Sequence, residues 1–170
     1  MHELDLAAFR ATPLTRQPFE YLIVPGFVKA EMRATINADY PRIEAPGSFP
    51  VSELTYGPAF ASLLEALTGP ELRAAFEEKF QISLRGRPTT LTVRGRCGPK
   101  DGNIHTDQVS KIITVLIYMN PSWEQNGGQA NVLTSKLHPF GNITVTYAAG
   151  STSFLGVPNV ETREVNGAVA

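Results

Sequence analysis

At Pro88 the spacing of apolar residues changes, and that change constrains the fold more than any single motif. Before it, Phe60, Leu63, Leu64 and Leu67 fall at i, i+3, i+4 and i+7, the stripe of an amphipathic helix. Leu72, Phe76 and Phe80 continue the helical spacing after a Thr68-Gly69-Pro70 break. After Pro88, Thr90, Thr92 and Arg94 alternate with Leu91 and Val93, which is the period of a strand. A chain that places its helical stripes first and its alternating segments afterwards is expected to be α+β, with helices buttressing a largely antiparallel sheet.

Shorter elements fill in around this switch. Tyr21 to Val24 reads as a buried strand stopped by Pro25-Gly26, and Lys29 to Ala38 suits a helix. A long loop follows between Pro41 and Pro50. Thr68 and Glu71 have capping-box spacing, with Pro70 in the first turn of the next helix. Lys111 to Tyr118 is a β-branched strand of the fully buried type. Later strand segments are Ala130 to Leu133, Ile143 to Tyr147, Thr152 to Leu155 and Val160 to Val165. Asn120-Pro121 and Asn126-Gly127-Gly128 are loop signals.

Composition narrows the class. The 170 residues are 42% hydrophobic and 18% charged, which excludes wholesale disorder and fits one domain. Fifteen Lys and Arg against sixteen Asp and Glu leave a net charge of -1, so no bulk attraction to nucleic acid or an anionic membrane is expected. The longest apolar run, Ile112 to Tyr118, is far too short to cross a bilayer. Cys97 is the only cysteine, so no internal disulfide forms and a cytoplasmic location is expected. Nothing in the pattern sets the oligomeric state.

His105-Thr106-Asp107 is the most informative tripeptide. On a strand or its end, residues i and i+2 point to one side, so imidazole and carboxylate converge. They supply two of the three ligands of the facial triad that holds non-haem Fe(II) and leaves positions open for chemistry. Taken alone, the tripeptide reads sooner as a surface turn in which Asp107 satisfies His105 than as a metal site.

The surrounding residues give the tripeptide its context. Pro88 to Leu133 reads PTTLTVRGRCGPKDGNIHTDQVSKIITVLIYMNPSWEQNGGQANVL. Its VRGRC, KDGNIHTD and KIITVLIYMN segments, followed by Trp123 and Gly127-Gly128, resemble the 2-oxoglutarate/Fe(II)-dependent dioxygenase family, in a prolyl-hydroxylase-like bacterial branch. Upstream, PRIEAPGSFPVSEL, FASLLEAL and FEEKF are similar to the same branch, so the resemblance covers roughly residues 20 to 133.

That resemblance implies one domain over residues 1–170, a double-stranded β-helix (jelly roll) from about 86 to 170 buttressed by helices within about 1–85. It implies Fe(II) held by His105, Asp107 and a second histidine, with 2-oxoglutarate as co-substrate and hydroxylation of a small-molecule or protein substrate. For the 2-oxoglutarate carboxylate the cationic candidates are Lys111, Arg94 and Arg96, and Tyr118 is a hydroxyl donor. The alternative roles are a strand-end lysine, surface ion pairs and a packed core tyrosine.

The last third departs from the family pattern. No histidine follows His138, and Thr162-Arg163-Glu164-Val165 takes the place of the expected distal His-x-Val. A guanidinium has no lone pair to give a metal. His138, Glu161 and Glu164 are the remaining candidates for a third ligand. With two clear ligands, Fe(II) affinity is expected to be weak and turnover slow or absent, and a jelly-roll binding or scaffold protein without catalysis is the competing reading.

Overall fold

A computed structural model of the chain describes residues 3–16, 20–94, 111–119, 142–148 and 163–165. Its helices are α1 (Leu6–Ala11), α2 (Ala30–Ala38), α3 (Pro58–Thr68) and α4 (Pro70–Phe80). A short strand β1 (Phe49–Pro50) and a 3-10 turn (Val51–Glu53) fall between α2 and α3. After α4 come β2 (Thr89–Arg94), β3 (Lys111–Tyr118), β4 (Asn142–Ala148) and β5 (Arg163–Val165). Among the described residues no helix is long and apolar enough to cross a membrane.

The helices form where their stripes predict. Phe60, Leu63, Leu64 and Leu67 of α3 and Leu72, Phe76 and Phe80 of α4 are buried in one cluster. Phe9 of α1 joins them edge-on to Phe76, with ring centroids 4.9 Å apart. Lys79 Nζ donates to the carbonyls of Arg10 at 2.6 Å and Thr12 at 2.8 Å. It thereby satisfies acceptors at the C-terminal end of α1, where a cation also complements the helix dipole.

Capping differs from the sequence expectation at one junction. Thr68 is the last residue of α3, and its Oγ1 donates back to the Leu64 carbonyl at 3.0 Å, so it does not cap α4. The N-cap of α4 is Gly69, without a side-chain hydrogen bond. Thr68 and Glu71 have the right spacing, but α3 persists through Thr68 and holds its hydroxyl in the i−4 pattern.

Gly57, at the N-cap of α3, likewise offers no side chain, and Asp39 supplies the cap from the end of α2. Its carboxylate accepts from Ala59 N at 2.7 Å, and its carbonyl accepts from Gly57 N at 2.9 Å. A Cβ at position 57 would lie 2.3 Å from the Asp39 carboxyl carbon, so this approach requires glycine.

Tyr21 to Val24 does not form the expected ladder strand. Only Tyr21 bridges, to Thr15, while Leu22 and Val24 are buried through side-chain packing alone. The segments Ala130 to Leu133 and Thr152 to Leu155 lie outside the described residues.

The five described strands make one sheet in the order β1-β2-β4-β3-β5. β4 is antiparallel to both β2 and β3, so β2 and β3 run in the same direction with a later strand between them. β5 pairs in parallel with the outer edge of β3. Val93, Ile113, Val115, Ile117 and Met119 belong to the same buried cluster as the helix stripes, so one face of the sheet packs on the helices.

Candidate functional site

The opposite face of the sheet is polar. On β2, Thr90, Thr92 and Arg94 alternate with the core residues Leu91 and Val93. On β3, Thr114 and Tyr118 alternate with Ile113, Val115 and Ile117. The register links these into rows: Thr90, Thr146 and Thr114; Thr92, Thr144 and Leu116; Arg94, Asn142 and Tyr118. Thr114 is 4% exposed and Tyr118 9%, whereas Thr90 is exposed, so the β3 side of this face is the covered one.

A β-bulge decides where Lys111 belongs. Lys111 pairs with Ala148 and Ile113 pairs with Tyr147, which leaves Ile112 as the extra residue. Ile112 and Ile113 both pack against the core cluster. Two consecutive residues on one face put the preceding Lys111 on the other, in register with the row set of Thr114 and Tyr118. In a regular strand Lys111 would share the core face with Ile113, which would bury an ammonium among isoleucines and valines.

The three described co-substrate candidates therefore share a face but not an end. Arg94 and Tyr118 both register on Asn142, two strand spacings apart, or roughly 10 Å between Cα atoms. Lys111 starts β3 at the other end, roughly 20 Å along the strand from Tyr118. One small dicarboxylate cannot bridge that span, so the set expected from sequence divides into Lys111 at one end and Arg94 with Tyr118 at the other.

Arg94 is held by residues that the sequence did not single out. Its Nε and Nη2 both donate to Ser48 Oγ at 3.1 Å, and its carbonyl accepts from the Tyr40 hydroxyl at 3.1 Å. Tyr40 is fixed edge-on to Phe60, with centroids 5.0 Å apart. Asn37, one turn earlier in the chain, donates to the Met119 carbonyl at 3.4 Å. The end of α2 thus fastens the ends of β2 and β3 that flank the start of β4. Ser48 lies in a Gly-Ser loop with no periodic signal; only the β1–β2 pairing brings it to Arg94.

His105 and Asp107 lie outside the described residues, as do Arg96, Cys97, Trp123, His138 and Glu161. Among the described residues no group of three His, Cys, Asp or Glu side chains is arranged to hold a metal ion. Of the distal candidates, Arg163 and Glu164 are placed on β5, where Arg163 registers on Ile113 and Glu164 on Thr114. No family model, no curated protein and no solved structure matches this chain.

Proposed function

We propose that the chain is an Fe(II)- and 2-oxoglutarate-dependent oxygenase, built as a helix-buttressed jelly roll, that hydroxylates a small-molecule or protein substrate. The observation that carries this reading is the bulge at Ile112, which brings Lys111 onto the polar face four residues after Asp107. Bulges recur beside active sites because they re-aim a side chain.

The donor chemistry fits Fe(II). An imidazole and a carboxylate two residues apart suit a facial site with open positions, and His105 and Asp107 would hold the metal. When bound, Fe(II) and 2-oxoglutarate supply the oxidising chemistry, in which O2 is consumed, 2-oxoglutarate becomes succinate and CO2, and a substrate C–H bond becomes C–OH. The protein's residues bind and orient. Asp107 and Lys111 are separated by four residues, so their Cα atoms are within about 14 Å of each other. Lys111 therefore holds the distal carboxylate of 2-oxoglutarate, as a point charge with three donors. The Arg94 and Tyr118 end, roughly 20 Å away, is left to the substrate side of the face.

A single cysteine supports a reducing, cytoplasmic setting, and the balanced charge supports a reading without nucleic acid as partner. The competing reading, a jelly-roll binding or scaffold protein without catalysis, draws on Arg163, which stands in the distal strand where the family has histidine. Anaerobic loading with Fe(II), followed by exposure to O2 with 2-oxoglutarate, separates the two. Succinate formed by the unaltered chain and lost in His105→Ala and Asp107→Ala supports the oxygenase. No succinate and no metal uptake supports the scaffold.

A further inference from the structure

We draw no further inference here: the strongest candidate, the outer edge of β2 at Thr89 to Leu91, where β1 reaches only Thr92 and Val93 and no other described strand pairs, carries nothing, since nothing in the structure shows what covers it.

Discussion

Lys111 and Tyr118 occupy one face of β3 although seven positions separate them, a spacing that puts two residues of a regular strand on opposite faces. Ile112 is the reason: as the extra residue of the bulge it shares the core face with Ile113 and resets the alternation. Deleting Ile112 should restore regular pairing and leave position 111 on the polar face, because Lys111–Ala148 and Ile113–Tyr147 then become consecutive pairs. The expected result is 2-oxoglutarate affinity retained in the deletion but reduced about tenfold or more in Lys111→Ala, since a charge-assisted contact contributes roughly 1.5–3 kcal/mol. Calorimetry with Mn(II) present checks it, and circular dichroism checks that the helices are retained.

Tyr40 and Ser48 fix the far end of the same face through Arg94. Tyr40→Phe removes one hydrogen bond and keeps the ring against Phe60, so it should cost about 1 kcal/mol in denaturant unfolding. Ser48→Ala should cost less, because the Arg94–Ser48 contact is exposed. Neither should weaken 2-oxoglutarate binding if Lys111 is the anchor, and a marked loss in either variant would move the co-substrate to the Arg94 end.

Asp39 caps α3 at a distance, and Gly57 makes room for it. Asp39→Ala should destabilise the fold by about 0.5–2 kcal/mol, the range for a lost N-cap. Gly57→Ala should also destabilise, because the new Cβ would meet the Asp39 carboxylate at 2.3–2.6 Å. The double variant should be less destabilised than the sum of the two, since removing the carboxylate relieves the collision. Urea titrations of the three proteins give the coupling.

Phe60 is fully buried between Tyr40 and Tyr56, at centroid distances of 5.0 and 5.3 Å. Phe60→Ala should cost about 3–5 kcal/mol through lost transfer energy and the cavity left behind. It should also loosen the Tyr40 hydroxyl from Arg94, so hydrogen exchange at the Arg94 end of β2 should speed up more than at the Thr89 end.

The helical half is legible because its signal is local. The stripes of α3 and α4, the alternation in β2 and the β-branched run of β3 place these elements within a residue or two of where the structure has them. α1 is six residues long, too short for a periodic stripe, and only Asp5, which accepts from Ala8 N, marks its start. Tyr21 to Val24 has strand composition without a neighbouring strand to pair with among the described residues, so its burial there occurs without a ladder. The bulge at Ile112 is invisible in a run of β-branched residues, because KII reads the same whether regular or bulged. For the three described co-substrate candidates, strand position was legible and their separation was not. Arg94, Lys111 and Tyr118 are all polar-face residues, but which end each occupies depends on pairing with β4, more than twenty residues further along the chain.

Metal-dependent 2-oxoglutarate binding at the Lys111 end of the sheet is tested directly by one titration. 2-Oxoglutarate is titrated anaerobically into the full chain with and without Mn(II), alongside Lys111→Gln and Arg94→Gln. The predicted result is binding that requires the metal, falls about tenfold or more in Lys111→Gln, and is unchanged in Arg94→Gln. Binding that is absent with the metal, or indifferent to it, would contradict the oxygenase reading, and binding that depends on Arg94 but not on Lys111 would contradict the placement of the co-substrate.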